Sequence, residues 1–252
     1  MRVIAAAGAS CLIFTIAYGC TDISGSDTAV LSIQFDTLSV PSVVVGDTLR
    51  DSSGAVITPV VRAFNFKGRE ITSPQIRFQS PDSGIRVDSI TGIVTGDSLR
   101  STPARIIATV GGLQAVQRID VTLRPDSIFS VNAVDSISFS LLDSTVNVSP
   151  AVTVKLTHGI APNDSAVKSY LVSFQIVAQS NPQLGQLVND AGRPSAVDTT
   201  DASGIAGRAL RLHPLFLTNS VDSIVVRATA KYRGVTVRGS PVRLVVKFKP
   251  RG

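Results

Sequence analysis

The feature that most limits the fold of this 252-residue chain is a series of short runs rich in Val and Ile. They recur at intervals of about ten residues, a spacing typical of strands in all-β proteins. Asp, Ser, Thr, Gly and Pro stand between the runs and favour turns, whereas β-branched residues favour strands. Glu70 is the only glutamate, so a good helix former is nearly absent. The pattern predicts an all-β protein built of sandwiches or barrels.

Eight runs lie before Pro125 and six lie after it. The first eight are LSIQF, VPSVVVGDTL, VITPVVRAFNF, PQIRFQ, GIRVDSI, GIVTG, ARIIATV and GLQAVQRIDVTL. The later six are VDSISFSLL, AVTVKLT, KSYLVSFQIVAQ, AGRALRL, VDSIVVRATAKY and VTVRGSPVRLVVKF. Gly111-Gly112 between two runs predicts a hairpin turn. Alternation in the next run predicts two opposite faces: Ile119, Val121 and Leu123 against Asp120, Thr122 and Arg124.

The first twenty residues have the pattern of a secretory leader. Arg2 gives a positive start, an uncharged and mostly apolar run extends from Val3 to Ala17, and Gly19 precedes Cys20. The apolar run is shorter than the roughly 20 residues that a membrane-spanning helix needs. We therefore expect residues 1–19 to be a cleaved signal peptide and the protein to be exported.

Cys20 has three interpretations. The end of the leader, Ala17-Tyr18-Gly19-Cys20, resembles the lipobox of bacterial lipoproteins, which implies acylation of the Cys20 thiol, although the family prefers Leu for Ala17 and a small residue for Tyr18. An ordinary signal-peptidase cut after Gly19 and an uncleaved anchor are the alternatives. The only other cysteine, Cys11, lies inside the leader, so an unmodified Cys20 would be a solitary thiol outside the cytoplasm. This favours lipidation, and the lack of Asp after Cys20 resembles outer-membrane sorting in that family.

These patterns divide the chain into four segments. Residues 20–28 follow the signal peptide, are polar and form a tether that begins at the lipidated cysteine. The remainder has room for two domains of ~100–120 residues each. The break at Pro125-Asp126 places the first domain at 29–124 and the second at 125–252.

Three segments of the first domain carry a family pattern: VVVGDTL at 43–49, IRFQSPDSGIRVDSITGIVTG at 76–96, and ARIIATVGG at 104–112. In this order they resemble the group 2 bacterial immunoglobulin-like domain. The family usually has Trp where Phe78 stands. The resemblance implies an immunoglobulin-like β-sandwich with Phe78 between its sheets.

The second domain carries a different pattern, VSFQIVA at 172–178, Leu184-Gly185 with Leu187, and TTDASGIAGRALRL at 199–212. This pattern resembles the group 1 bacterial immunoglobulin-like domain, of the invasin and intimin type. Asp201 suits the family's turn because its side chain can hydrogen-bond its own backbone, and Gly204 tolerates a positive φ. The resemblance implies adhesion or surface display and names no ligand.

The sequence GDSL at 96–99 matches the motif of a serine-hydrolase family. A nucleophilic serine needs a base that a third group orients. The only histidines, His158 and His213, both lack the Asp two or three residues earlier that the family has. Asp-Ser or Asp-Thr before an apolar residue also recurs along the chain. We therefore interpret GDSL as one more turn-to-strand entry and predict no enzymatic activity.

Metal ligands are sparse. Two scattered histidines and Cys20 cannot make a zinc site. Asp198 and Asp201 could offer oxygens to calcium, but the D-x-D-x-D-G loop is missing. Asp that caps a turn is the favoured interpretation, so we expect no metal and no cofactor.

The net charge of +6 is unevenly placed, since eight basic residues and no acid follow Asp222. In and just after VVRATAKY, alternation puts Arg227, Lys231 and Arg233 on the solvent face. It puts Val226, Ala228, Ala230 and Tyr232 on the opposite face. In the neighbouring run VRLVVKFK, basic side chains likewise alternate with apolar ones. The candidate anion-binding patch is Arg227, Lys231, Arg243, Lys247 and Lys249. Like charges on a sheet destabilise it unless an anion lies near, and the candidates are anionic lipid, lipopolysaccharide or acidic glycan.

A basic edge that guards the sheet against aggregation is the alternative interpretation of the patch. Nucleic acid is not expected, because the aromatic residues that single-strand binders interleave with basic ones are missing. The sequence as a whole predicts a non-catalytic outer-membrane lipoprotein whose immunoglobulin-like domains act as a spacer or as an adhesion or binding module. An accessory or assembly subunit of an envelope or secreted complex is the alternative, and a serine hydrolase that uses Ser98 is a remote third.

Overall fold

A computed structural model of the protein describes residues 28–132, 134–141, 147–217 and 223–250. The predicted signal peptide, Cys20 and the tether up to residue 27 lie outside them. The described chain is built of β-strands and contains one short 3-10 helix, Pro214–Phe216. No helix in this part of the chain is long and apolar enough to cross a bilayer. The predicted all-β class is confirmed.

The N-terminal sandwich contains the first eight strands: β1 (Ser32–Phe35), β2 (Ser42–Val44), β3 (Val61–Phe64), β4 (Arg77–Gln79), β5 (Ile85–Val87), β6 (Val94–Gly96), β7 (Ala104–Val110) and β8 (Leu113–Thr122). One sheet has the order β2-β8-β7-β4, and β2 runs parallel to β8. The antiparallel pairs β1–β3 and β5–β6 contribute to the same core. The β7–β8 hairpin turns at Gly111-Gly112, as predicted, with Gly111 at a φ of 59°.

The C-terminal sandwich contains the other twelve strands: β9 (Ser127–Ser130), β10 (Val134–Phe139), β11 (Val152–His158), β12 (Ser165–Ala166), β13 (Leu171–Ala178), β14 (Gly185–Val188), β15 (Val197–Thr199), β16 (Ile205–Leu212), β17 (Ser223–Thr229), β18 (Lys231–Tyr232), β19 (Val235–Thr236) and β20 (Val242–Pro250). One sheet contains β9, β11, β16 and β14 in that order, with β12 also paired to β11. The facing sheet has the order β10-β20-β17-β13-β15. A small hairpin, β18–β19, projects beyond β17.

This strand order is that of an immunoglobulin-like fold. The order β9-β11-β16-β14 corresponds to strands A, B, E and D, and β20-β17-β13 corresponds to G, F and C of the facing sheet. β15 adds a strand beyond C, and β10 pairs in parallel with the last strand, β20. The N-terminal sandwich repeats this parallel pairing of an early strand with its last one, β2 with β8.

Each sandwich has its own hydrophobic core. The N-terminal core includes Leu49 and Ile106 together with Phe78, the aromatic residue that we expected between the sheets. The C-terminal core includes Leu156 and Leu210. Alternation produces these cores, since successive residues of β16 point alternately into and away from the core. Each fully buried Leu or Ile contributes roughly 1.5–3 kcal/mol relative to an exposed one.

Four strands were not among the predicted runs: β9, β12, β14 and β15. They span two to four residues and lack a clear apolar alternation, so tertiary pairing rather than local pattern forms them. The interpretation of GDSL as an entry into a strand is wrong. β6 ends at Gly96 and β7 begins at Ala104, so the motif leads out of a strand into a loop.

Candidate functional site

The two sandwiches meet at a junction built from side chains of one and main-chain groups of the other. Thr122 Oγ1 donates to the carbonyl oxygen of Lys168 at 2.5 Å, and Ser42 Oγ donates to that of Ser169 at 2.5 Å. In the opposite direction, Lys168 Nζ donates to the carbonyl oxygen of Arg100 at 2.8 Å. Thr122 is on the polar face of β8, as alternation predicts, yet it is fully buried because the C-terminal sandwich covers that end.

An ion pair closes a second side of the junction. Arg233 Nε lies 2.7 Å from Asp47 Oδ2, and Asp47 Oδ1 accepts the amide of Thr48 at 2.8 Å and Arg50 Nε at 3.1 Å. Burial alone would raise the pKa of Asp47, but hydrogen bonds from Arg233, Thr48, Tyr232 and Arg50 outweigh it and hold that pKa well below its usual range. The carboxylate therefore stays ionised although its side chain is only 3% exposed.

Two glycines bring the backbones of the sandwiches into direct contact. A Cβ on Gly54 would collide with the backbone of Arg233 and Gly234, and a Cβ on Gly234 would collide with the carbonyl of Ser53. Both glycines also have positive φ, 92° and 79°. Only glycine combines that conformation with so close an approach.

Beside this junction lies a groove of about 490 Å³ with walls from both sandwiches. The N-terminal sandwich supplies Val40, Pro41, Ser42, Val44, Asp47, Thr48, Arg50, Asp51 and Ser52. The C-terminal sandwich supplies Tyr170, Leu171, Ser173, Gln175, Arg227, Thr229, Lys231, Tyr232, Arg233, Thr236 and Pro241. Its size is in the range of small-ligand sites, roughly 300–1,000 Å³.

The floor of the groove is the outer face of β13 and β17. Ser173 is the cross-strand partner of Thr229, and Gln175 is the partner of Arg227. Arg227 Nη2 donates to Gln175 Oε1 at 2.7 Å, which orients the guanidinium along the floor. On its other side Arg227 is paired with Arg243 of β20. Two arginines thus stand directly opposite each other on one sheet face.

The structure divides the five residues of the predicted patch. Arg227 and Lys231 line the groove, and Arg243 is adjacent to Arg227. Lys247 and Lys249 lie farther along the outer face of β20 and do not line it. All five are exposed, and none is ion-paired with a carboxylate within the described ranges.

The face predicted for VVRATAKY is only partly correct. Val226, Ala228 and Ala230 are buried as expected. Lys231, however, belongs to the separate hairpin β18–β19, and Arg233 turns to the other sandwich and binds Asp47. The turn at Arg233, where φ is 50°, ends the alternation on which the prediction rested.

Sequence reasoning missed the two tyrosines of the groove. The Tyr170 hydroxyl donates to the carbonyl oxygen of Lys231 at 2.6 Å. Burial raises the pKa of both Tyr170 and Tyr232, and the nearby Asp47 carboxylate adds to the effect. No local signal could have paired them, because they are more than sixty positions apart along the chain. Both side chains stay neutral and can donate hydrogen bonds at physiological pH.

The other sequence candidates occupy structural roles. Ser98 lies in a loop where its amide donates to the carbonyl of Gly84, and among the described residues no hydrogen bond joins it to a histidine. Asp198 is 2.8 Å from Arg208 Nη1. Asp201 accepts the amides of Ser203 and Ile205, so it caps the predicted turn. No cluster of three His, Cys, Asp or Glu side chains arranged to hold a metal occurs in the described part of the chain.

Fold and junction together define a protein with tandem immunoglobulin-like β-sandwiches. No protein-family model matches the chain, and a comparison with curated proteins also gives no match. Among solved structures, domains 4 and 5 of the S-layer protein SbsC align at 13% identity over 87% of this chain and 98% of that one, with a TM-score of 0.33. Human protocadherin-24 EC1-2 aligns at 14% identity over 89% and 100%, with a TM-score of 0.29.

The bacterial integrin-binding protein invasin aligns at 13% identity over 88% of this chain and 40% of that one, with a TM-score of 0.29. This chain therefore spans less than half of that invasin structure. The strand order described above, and not these alignments, defines the fold class.

Proposed function

We propose that this protein is a non-catalytic outer-membrane lipoprotein whose two sandwiches act as a spacer and as an adhesion or binding module. The observation that carries the proposal is the junction. Domains joined by a short connection usually move relative to each other unless their interface fixes them. Here the Asp47–Arg233 pair and the Gly54–Gly234 contact join surfaces that are remote in sequence. A spacer needs such a joint, because a loose one cannot hold a surface at a set distance from a membrane.

The membrane anchor rests on the sequence. Metabolic labelling with a fatty-acid analogue is expected to mark the wild-type protein and not Cys20→Ala, because the thiol at the end of the leader is the acylated group. Equal labelling of both proteins, or of neither, contradicts lipidation. The resemblance of 43–112 to group 2 domains and of 172–212 to group 1 domains supports display on the envelope.

The fixed joint can be measured directly, because both cysteines, Cys11 and Cys20, precede the first sandwich. Spin labels at Val116→Cys on β8 and Val177→Cys on β13 would occupy exposed positions on different sandwiches in a chain without Cys20. We expect double electron–electron resonance spectroscopy to give a narrow distribution of distances between the two labels. A broad distribution would mean that the sandwiches move independently, and the spacer role would then be wrong.

A further inference from the structure

The cations of the groove differ in whether an acid balances them. Four basic residues line it, Arg50, Arg227, Lys231 and Arg233, against the acids Asp47 and Asp51. Asp47 binds both Arg50 and Arg233. Asp51 accepts the amides of Ser53 and Ala55 and so closes its own turn. Arg227 and Lys231 are the two groove cations that have no carboxylate partner within the described part of the chain.

Arg227 is held in a position that suits an anion. Gln175 orients its guanidinium from one side, and Arg243 stands directly opposite on the next strand. Like charges directly opposite on a sheet destabilise it, so a bound anion would relieve this repulsion. A guanidinium presents parallel N–H groups that match the two oxygens of a carboxylate.

Lys231 faces the same groove from the β18–β19 hairpin. Its main chain is fixed by the hydrogen bond from the Tyr170 hydroxyl, whereas its ammonium group is exposed. The segment therefore presents an exposed positive charge on a hydrogen-bonded backbone, at the opposite end of the groove floor from Gln175.

The rest of the lining suits a ligand rich in hydroxyl groups. Ser173, Gln175, Thr229 and Thr236 offer hydroxyl and amide groups that both donate and accept hydrogen bonds. Tyr170 and Tyr232 add rings with an apolar body and a polar tip. A flat bilayer surface would reach Lys247 and Lys249 on the open face of β20 more readily than groups inside a recess walled by both sandwiches. The recess therefore favours a soluble or polymeric ligand.

We propose that the groove binds an acidic glycan, with carboxylates of different sugar units on Arg227 and on Lys231 and with sugar hydroxyls on the floor of β13 and β17. The inference rests on the proposed role as a binding module and names the ligand class of that module. Attraction to the two cations makes binding weaker as salt rises, since the screening length is about 8 Å at physiological ionic strength.

The groove has a built-in reporter. The chain has no tryptophan and three tyrosines, two of which, Tyr170 and Tyr232, line the groove. In the full chain with Tyr18→Phe, all tyrosine emission comes from the groove. Titration with oligomers of galacturonic acid should change this emission with saturation, while neutral glucose oligomers of equal length should not. Binding detected by calorimetry without a change in emission would place the ligand elsewhere and overturn the proposal.

Matched double variants separate the groove from the open face, since each removes two positive charges. Arg227→Gln with Lys231→Gln should weaken oligogalacturonate binding about tenfold or more, because two charge-assisted contacts are lost. Lys247→Gln with Lys249→Gln should change it less than about twofold. Equal weakening by both pairs would mean that net charge and not the groove binds the anion. No weakening by either pair would place the ligand away from all four residues, and either result overturns the proposal. Arg227→Lys tests the site by a second route, because it keeps the charge, loses the fork and should bind with intermediate affinity.

Two further binding measurements test other anions, namely anionic lipid and inorganic sulfate. Vesicles of anionic lipid are tested as competitors of the oligomers. If they compete, and if only the variant with Lys247→Gln and Lys249→Gln fails to bind them, the ligand is a membrane surface and the glycan assignment is overturned. Binding of inorganic sulfate as tightly as the oligomers would show that the sugar contributes nothing. If none of these experiments detects glycan binding but the spin-label distance distribution stays narrow, the glycan proposal is wrong and the spacer role still stands. Loss of the narrow distance contradicts the spacer itself.

Discussion

Arg233 and Asp47 are 186 positions apart in the chain, and their side chains form an ion pair of 2.7 Å across the junction. The carboxylate is buried, whereas about half of the arginine side chain is exposed. Removal of the arginine would therefore leave a buried charge with Arg50 as its remaining ionic partner. Because the acid is buried and the base is not, the stability of the junction should depend strongly on Arg233.

Arg233→Ala is expected to destabilise the protein by about 1–3 kcal/mol, since it removes a hydrogen bond between charged groups at a buried acceptor. It should also broaden the spin-label distance between the sandwiches. Chemical denaturation and electron-electron resonance measure the two effects. Arg193→Ala, at an exposed arginine without an ion pair in the described chain, is the control and should alter neither. An unchanged distance in Arg233→Ala would mean that the pair does not hold the joint.

The pH dependence of stability should also report on Asp47. Its pKa is lowered in the folded state, so its contribution is complete above the unfolded value of about 4 and is lost as the pH falls through that region toward the folded pKa. Asp47→Asn should be less stable than wild type at pH 7, and the difference should shrink as pH falls below about 4. Urea denaturation at pH 7, 5 and 3 measures this difference. If the difference in free energy of unfolding between wild type and Asp47→Asn is the same at pH 7 and at pH 3, the assigned charge state of Asp47 is wrong.

Gly54→Ala should disturb the junction more than either core. A Cβ there meets the backbone of Arg233 and Gly234, which cannot yield as a flexible side chain can. Gly68→Ala is a matched control, because Gly68 also has a positive φ, 71°, but has no atom within 4 Å of the added Cβ. Gly68→Ala should cost only the strain of that conformation, about 1–2 kcal/mol. Gly54→Ala should cost more and should also broaden the spin-label distance, and equal effects of both would contradict the close contact.

The separate cores predict that residues 29–124 and 126–252 fold independently. Circular dichroism should show β structure and a cooperative melt for each fragment. Each should melt at a lower temperature than the whole chain, because Leu123 packs on the C-terminal core and Leu171 on the N-terminal one. An unfolded fragment would contradict the division at Pro125. A fragment as stable as the whole chain would mean that the junction adds no stability.

The sequence by itself determined the local architecture of this protein. The alternation in β16 and β20 and the turn chemistry of Gly111 and Asp201 involve residues that are neighbours in the chain, so composition and spacing predict them. The short strands β9, β12, β14 and β15 carry too little pattern, and they form because a longer strand is available to pair with each. Independent folding of the two halves and acylation of Cys20 stay predictions.

Only the tertiary structure decided how the charged residues are used. Alternation places Arg227, Lys231 and Arg233 on one side, yet Arg233 neutralises Asp47 while Arg227 and Lys231 face the groove without an acid. Tyr170 and Tyr232 likewise become groove residues through packing. The physical reason is the separation along the chain of the residues that interact. Turns and the alternation within strands depend on residues that are only a few positions apart. The junction and groove instead depend on burial and ion pairing between surfaces that meet after both sandwiches have formed.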